Sequence, residues 1–502
     1  MPVTTSGASP CVASSFPTPS LFGAEILSIN AAPVKNYTVG IPDGLDVGVT
    51  DPPNVSFCNI TVTYTHPGQD DTVNVETWLP LNNWNGKLQA VGGGGWVAGR
   101  SYISYVRMLD PIADGFVTTT TDAGQGGYGD LGDWALLSPG NVNLYALQDL
   151  GLVSLNDTAS IAKSLIQSYY GQAPSYSYWN GCSQGGRQGL ALAQRYPTAY
   201  DGILAAAPAI NWAELIASSL WPVAFMQFTQ QYPHSCELTK LTSLALSVCD
   251  ALDGVKDGRI ADPEACRSSF RPKSYIGKTF YCSETDSDMT ISSAAVSVAS
   301  AIWDGPRFSD GRFIWYGYEI GTNITPLAQS ICTDDGECVA KGTGSITPAI
   351  RYFLDRDLSS NVTVVTHKQF DHFYRTLKST FASNLETNDI DLSEFQEAGG
   401  KLLTYHGLTD PAIPPESTLH YYKQVSKTLG HVQEFYRYFR VPGLNHCWGG
   451  SASHPASMFT QLTSWVEDGT VPKRSKITYT QSDDSISEGI VCPYPKKAIL
   501  IG

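Results

Sequence analysis

Apolar and polar positions change rhythm twice along the 502-residue chain. Between about residues 75 and 210, short apolar runs alternate with stretches of helical spacing. Val73, Val75, Thr77 and Leu79 recur at every second position, the period of a half-buried strand, and Lys87 to Val91 is a second strand candidate. Thr118 to Asp122 follows a further strand and opens a Gly-rich loop through Asp133. Asn156 to Tyr170 puts Ile161, Leu165 and Tyr169 on one helical face, with Asn156 or Asp157 as cap and Gly171 as stop. The aromatic run Tyr176 to Trp179 reads as a buried strand. Gly186 to Arg195 reads as a helix that stops before Pro197, and Asp201 to Ala207 suits a central parallel strand. This alternation predicts a mostly parallel α/β sheet. Residues 1 to about 80 mix short β-like runs with turns. From Asn211-Trp212 to about Gly399 the segments read as irregular, with several aromatics and most of the cysteines. The rhythm then returns: a strand at Lys401 to Tyr405, a helix at Ser417 to Leu429, a β-rich run at Gln433 to Val441 and a last helix at Ser457 to Val466. The simplest account is one core, residues 1–211 and 397–502, interrupted by an insertion over 212–396.

Gly181, Ser183 and Gly185 spell Gly-x-Ser-x-Gly between the aromatic strand and the helix. Strand, sharp turn and helix are the setting of a nucleophile elbow, whose flanking positions must be small. Alone, the motif also fits a Gly-rich loop in a chain with 46 glycines. The residues downstream decide. Asp410 follows the strand at Lys401 to Tyr405, and His446 follows the run ending at Val441. Ser183, Asp410 and His446 fall in the Ser, acid, His order of α/β-hydrolases. His406 stands at a strand end beside Gly407, where a structural role is expected. His66, His234, His367, His372, His420, His431 and His454 lack the setting of His446. Gly92-Gly93-Gly94-Gly95 directly follows a strand, where the backbone can approach a ligand. Its Gly94 N–H, with that of Gln184, is the candidate oxyanion pair; the alternative is a flexible turn. Cys182 precedes Ser183 and Cys447 follows His446. A serine and histidine in hydrogen-bond contact bring such neighbours within disulfide range, so a Cys182–Cys447 bond would staple one to the other.

Composition narrows the partners. A net charge of −15 argues against nucleic acid, whose phosphates need a basic surface. No apolar run is long enough to span a bilayer, so no membrane partner is expected. The hydrophobic fraction of 42% suits a substantial core. Eleven cysteines and the sequons at Asn36, Asn54, Asn59, Asn156, Asn323 and Asn361 point to a secreted, oxidising setting. Residues Met1 to Pro19 lack a signal-peptide layout and read as a mature start.

Gly-Cys-Ser-x-Gly-Gly, a distant Asp, and His-Cys, with both cysteines beside the catalytic candidates, resemble the tannase/feruloyl esterase family over most of the chain. The resemblance implies secreted serine esterases with a lid inserted into an α/β-hydrolase core. Their substrates are small aromatic-acid esters: ferulate or p-coumarate on plant cell-wall polysaccharide, gallate in tannins, or a terephthalate monoester. It also implies a Cys11–Cys58 pair and a structural calcium ion in the lid. Here that ion would sit on Asp250, Asp253, Asp257 and the carbonyls of Val255 and Arg259, a curved Asp/Gly loop that is otherwise a bland turn. Lys256 and Arg259 are expected to point outward. Cys249 and Cys266 bracket this loop and are expected to pair, and Cys332 and Cys338 to close a small turn. Cys236, Cys282 and Cys492 are left without partners. Trp212, Trp221, Phe225, Trp303, Trp315 and Tyr316 are candidate pocket lining. The expectation is a feruloyl esterase, with tannase and terephthalate-type hydrolase as alternatives. A peptidase shares the triad order, and a calcium-stabilised binding protein on a hydrolase fold is the non-enzyme rival. The oligomeric state is not legible.

Overall fold

Nine strands form one sheet: β1 (Glu25–Tyr37), β2 (Val55–Thr65), β3 (Val73–Pro80), β4 (Lys87–Val91), β5 (Val117–Thr121), β6 (Tyr176–Cys182), β7 (Gly202–Ala206), β8 (Lys401–Gly407) and β9 (Tyr436–Val441). Their spatial order is β1-β2-β3-β5-β4-β6-β7-β8-β9. From β5 to β9 every pairing is parallel, and from β1 to β5 every pairing is antiparallel. The computed structural model describes residues 10–41, 51–127, 130–332, 338–341, 347–357, 359, 366–481 and 483–498. Among them no helix is long and apolar enough to cross a membrane.

The parallel strands are buried on both faces because helices cover both. On one face Trp179, Ile203 and Leu402 pack with Leu165, Leu190, Leu419 and Val425. These four come from helices α3 (Val153–Tyr170), α4 (Gln184–Arg195) and α9 (Pro415–Thr428), counted in a chain order that begins with α1 (Tyr102–Ala113) and α2 (Leu144–Gly151). The neighbouring strand positions Tyr178, Leu204 and Leu403 face the other way, onto Met458, Leu462 and Trp465 of α10 (Met458–Asp468). One step along each strand thus changes layer, the period-2 rule of the pleat. Each such buried aliphatic side chain contributes roughly 1.5–3 kcal/mol over an exposed one.

Several expectations from the sequence are corrected. β1 and β2 run for 13 and 11 residues, so the N-terminal region is long strands and not short runs. β3 is buried on both faces, Glu76 and Trp78 included, because it lies inside the sheet and Tyr105 of α1 stacks over Trp78. The threonines at 118–121 are the strand itself; Thr119 and Thr120 return their hydroxyls to the carbonyls of Glu76 and Val91 at 3.0 Å each. α3 begins at Val153, so Asn156 sits inside the helix and caps nothing; Gly171 does end it, at φ 75°.

Residues 212–396 are largely helical, not irregular. Their long helices are α5 (Trp212–Thr229), α6 (Ser235–Cys249), α7 (Ser293–Asp304) and α8 (His367–Phe381). They hold their own apolar cluster, in which Met226, Leu238, Leu241, Val298, Ile302 and Trp303 meet. Glu237 pins two helix starts: one carboxylate oxygen accepts the His234 N–H at 2.9 Å and the other the Ser292 N–H at 2.8 Å. The Cys236–Cys282 and Cys249–Cys266 disulfides close this region, and Cys11–Cys58 ties the N-terminus to β2. The first of these gives partners to two cysteines that the sequence left unpaired. Cys492 is a free thiol. Cys332 and Cys338 are backbone register partners in a short two-stranded ribbon, and Cys338 is disulfide-bonded; the turn between them lies outside the described residues.

Of the sequons, Asn36, Asn54 and Asn323 are exposed. Asn59 lies within β2, with its Oδ1 buried and unpartnered, and Asn156 is half-buried in α3. Asn361 lies outside the described residues.

Candidate active site

The carboxyl ends of β4, β6, β8 and β9 share one edge of the sheet, because all four strands run parallel. β4 is followed in sequence by β5 on one side, while β6 lies on its other side. The order reverses there, and such switch points open a crevice at the strand ends. The Gly92–Gly95 loop leaves β4, and Ser183 leaves β6, at that crevice.

Ser183 has φ 64° and ψ −120°, a conformation that side chains other than glycine rarely adopt. Holding it costs about 1–3 kcal/mol, which the surroundings must offset. Ser183 N–H donates to the Ala206 carbonyl at 3.0 Å, and the Ser183 carbonyl accepts the Arg187 N–H at 2.9 Å. The small neighbours are obligatory. A Cβ on Gly181 would lie 2.3 Å from the Gly185 oxygen, and one on Gly186 2.3 Å from the Ala206 oxygen. α4 starts at Gln184, so the Gln184 N–H has no acceptor within its own helix.

The Gly loop is locked to this helix. Gly185 N–H donates to the Gly93 carbonyl at 3.0 Å. Gln188 Oε1 accepts the Gly93 N–H at 3.1 Å, and its Nε2 donates to the Ala98 carbonyl at 3.0 Å. Gly93 N–H is therefore spent on Gln188. Gly94 pairs with Val97, whose N–H reaches the Gly94 carbonyl at 3.0 Å. Gln188 and Arg187 were not singled out in the sequence, since only the folded contacts show what they hold. Arg187 is fully buried; its Nη1 and Nη2 donate to the carbonyls of Gly151 and Leu150 at 3.0 Å each, and burial lowers its pKa to about 9.

Asp410 is fully buried. Its Oδ1 accepts the N–H groups of Ala412 and Ile413 at 2.7 and 2.9 Å. Its Oδ2 lies 2.7 Å from His446 Nδ1 and 2.9 Å from His406 Nε2. Burial alone would raise the carboxyl, but the His446 charge and the hydrogen bonds from both histidines outweigh it and hold it well below the ordinary range. An ionised carboxylate only accepts, so Nδ1 of His446 carries its proton toward Asp410 and Nε2 keeps a lone pair. Burial pulls the His446 ring down, while the charge and hydrogen bond of Asp410 pull it up; the balance lies above the ordinary value. His406 Nδ1 meets Thr418 Oγ1 at 2.8 Å, which orients its Nε2–H onto Asp410. The structural role expected for His406 is thus a specific one: it is a second imidazole on the same carboxylate.

The Cys182–Cys447 disulfide joins the elbow to the His446 loop, with Cα atoms 6.0 Å apart. Of the aromatic lining candidates, Trp212 stands edge-on to Trp96 of the Gly loop at 4.9 Å. Tyr316 OH meets His420 Nδ1 at 3.0 Å, and Trp315 lies edge-on to the same ring at 5.4 Å. Trp221 and Phe225 pack against each other, and Trp303 is core of the inserted helices.

The loop at Asp250 is built around one oxygen. Asp250 Oδ1 accepts the N–H groups of Asp257, Gly258 and Arg259 at 2.9, 2.9 and 3.2 Å, and Asp253 Oδ1 accepts the Val255 N–H at 2.9 Å. Asp257 Oδ1 is buried with no donor. Arg259 does not point outward: its buried guanidinium stacks on Tyr479 at 4.0 Å, and Nη1 donates to the Asp257 carbonyl at 2.7 Å. The ring and the burial outweigh an exposed position for the charge.

Comparison with known proteins follows the same lines. The sequence profile described as "Tannase and feruloyl esterase" matches residues 58–502. The chain is 33% identical to a "Probable feruloyl esterase" of Arthroderma benhamiae, over 95% of this chain and 88% of that one. It is 27% identical to a "Tannase" of Aspergillus oryzae, over 96% and 89%. Its fold superposes on the tannin acyl hydrolase from Aspergillus niger with a TM-score of 0.87 at 26% identity, covering 98% of this chain and 92% of that one. The chain belongs to the tannase and feruloyl esterase family, on an α/β-hydrolase fold, and is a carboxylic ester hydrolase.

Proposed function

We propose that the chain is a secreted serine esterase that releases ferulate or p-coumarate from plant cell-wall esters. Ser183 is the nucleophile, His446 the base and Asp410 the group that orients it. The observation that carries this reading is the His446 Nδ1 to Asp410 Oδ2 contact of 2.7 Å on a loop stapled by disulfide to the residue before Ser183. Nε2 of His446 takes the Ser183 proton as the oxygen attacks the ester carbonyl. The N–H groups of Gln184 and Gly94 stabilise the oxyanion; removing one such donor costs on the order of 10²–10³ in rate. The alcohol leaves with the proton from His446, and water releases the acid from the acyl-enzyme by the same route reversed. Residues 212–396 act as the lid, which the place of Trp212 against Trp96 supports. The four disulfides among the described residues favour an oxidising compartment.

Substrate choice is tested by steady-state hydrolysis of methyl ferulate, methyl p-coumarate, methyl caffeate and methyl gallate. Preference for the hydroxycinnamates is expected, and the relation to the Arthroderma protein supports it. A preference for gallate would replace this reading with a tannase, which the superposition on the tannin acyl hydrolase favours as the second reading.

We also propose a structural calcium ion on the inserted loop, held by Asp250, Asp253, Asp257 and the carbonyls of Val255 and Arg259. The unpartnered, buried Asp257 Oδ1 fits a cation better than an empty interior. Burial raises this carboxyl above its ordinary range, Arg259 pulls it down, and Asp253 and Asp250 raise it further. The ion holds the loop and takes no part in acyl transfer. Calcium at ~100 times its Kd should add about 2.7 kcal/mol of stability. A calcium-dependent Tm, lost in Asp253→Asn while kcat at 25 °C is kept, is the expected result; an unchanged Tm in EGTA would rule the ion out.

A further inference from the structure

His66 follows the end of β2 and is enclosed by three carboxylates far in sequence from the triad. Its Nδ1 lies 2.6 Å from Asp71 Oδ2 and 3.8 Å from Asp149 Oδ1, and its Nε2 3.2 Å from Asp157 Oδ2. All four side chains are less than one-tenth exposed. Asp71 Oδ1 is satisfied by Thr65 Oγ1 at 2.8 Å and His66 N–H at 2.7 Å, and Asp157 Oδ2 by Tyr64 OH at 3.1 Å. Asp149 is different. It is 1% exposed, and neither of its carboxylate oxygens has a hydrogen-bond partner. Its ion-pair contact among the described residues is to His66 at 3.8 Å, and no lysine or arginine pairs with it there. Even with a protonated ring, three carboxylates leave an excess of negative charge in a buried place, which is costly unless a cation balances it.

We propose that His66, Asp71 and Asp149 form a binding site for a divalent first-row transition ion of the Zn²⁺ type. Imidazole with carboxylates is a donor set that such ions accept. One ligand atom from each of the three residues lies within 4.8 Å of the others. Asp157 completes the arrangement from outside. A carboxylate on the far ring nitrogen of a ligating histidine fixes its tautomer and raises its basicity. Binding replaces the Nδ1 proton, which goes to solvent, while Nε2–H stays on Asp157. The ion would tie the β2–β3 turn, which carries His66 and Asp71, to α2, which carries Asp149. Leu150 and Gly151, next along the chain, receive the Arg187 guanidinium, so this tie braces the footing of the elbow helix.

The test uses the full chain, stripped with a chelator and returned to excess Ca²⁺ so that any oxygen-only site is filled. Zn²⁺ binding is read by calorimetry and metal analysis, and Co²⁺ by its visible d–d absorption. The expected result is about one Zn²⁺ per chain with proton release, and a Co²⁺ band of low-symmetry N/O coordination. Both should vanish in Asp149→Asn and His66→Gln. Asp149→Asn guards against misfolding, because it removes a buried charge at constant shape: its metal-free Tm should equal or exceed that of the wild type. No Zn²⁺ or Co²⁺ band in the wild type would overturn the site and leave a proton on Asp149 as the balancing charge. Equal binding by Asp149→Asn would overturn it too.

Discussion

His446→Ala is expected to lower kcat on an aromatic-acid ester by on the order of 10⁶, about as much as Ser183→Ala and about as much as the double variant. On the proposed mechanism the three values coincide because the residues act as one device. Without His446 the Ser183 proton has no acceptor, and without Ser183 the acceptor has no proton to take. Asp410→Asn should cost less, on the order of 10⁴, because the ring remains but loses its orienting anion. The pH profile adds an independent check. His446 works as a base only when neutral, and Asp410 holds its pKa above the ordinary 6.5. As pH falls through that raised value, kcat/KM is lost, so the acidic limb should lie above pH 6.5. Asp410→Asn removes the charge that raises the ring, so the limb should move down. Additive losses for Ser183→Ala and His446→Ala, or an acidic limb indifferent to Asp410, would separate these residues and defeat the triad. Active-site titration with a phosphonate, run beside the kinetics, counts the competent Ser183 directly.

Opening the Cys182–Cys447 bond is the second large effect. The bond spans 265 residues, and in the chain-entropy model a loop of that length constrains the unfolded state by about 5.6 kcal/mol. A marginally stable protein holds only about 5–15 kcal/mol in all. Cys182→Ser with Cys447→Ser should therefore lose most of its margin, seen as a steep fall in Tm. The catalytic loss should exceed what unfolding explains. Cys447 itself has φ 65°, and the loop that carries His446 loses its covalent tie to the elbow. At a temperature where the variant is still folded, kcat should drop at least tenfold with KM little changed, because a misplaced base harms the transition state more than binding. Full kcat and unchanged Tm in the double variant would mean that the hydrogen bonds of Asp410 position His446 without help.

The candidate site was legible where chemistry is written in adjacent letters. Gly181, Ser183 and Gly185 mark a turn whose Gly181 position leaves no room for a Cβ, and Cys182 and Cys447 each adjoin a candidate catalytic residue. The central strands were legible too, since Tyr176–Cys182 and Gly202–Ala206 are short apolar runs bounded by turns. What escaped depends on contacts between distant segments. Gln188 looks like any helical glutamine until Gly93 and Ala98 are brought to it. α5 hid for another reason. Trp212, Ala213, Ile216, Ala217, Leu220, Trp221 and Ala224 are all buried, and so are Glu214 and Ser218. A helix buried on most sides shows no polar stripe, and Pro222 within it reads as a stop. Arg259 was misjudged because a charged residue in a loop normally seeks water; here an aromatic face and a loop carbonyl receive it instead.

β7 and β8 are neighbours in the sheet, with Gly202 paired to Lys401, although nearly two hundred residues separate them. The chain leaves at the carboxyl end of β7 and enters β8 at the opposite edge, but the inserted helices close on themselves before that crossing: Thr387 N–H donates to the Ile210 carbonyl at 3.0 Å and Ala213 N–H to the Glu386 carboxylate at 3.2 Å. The insertion therefore departs and returns through one narrow gate, and the sheet does not register how much passes through it. In evolutionary terms this is a socket. A lineage can lengthen, shorten or exchange what is plugged in there while the strands that present Ser183, Asp410 and His446 keep their register. New ester preferences can then arise without re-inventing the chemistry. During synthesis the same gate imposes an order: β8 emerges only after the whole inserted segment, so the catalytic edge is completed last, and a chain truncated within the insertion carries a serine with neither acid nor base.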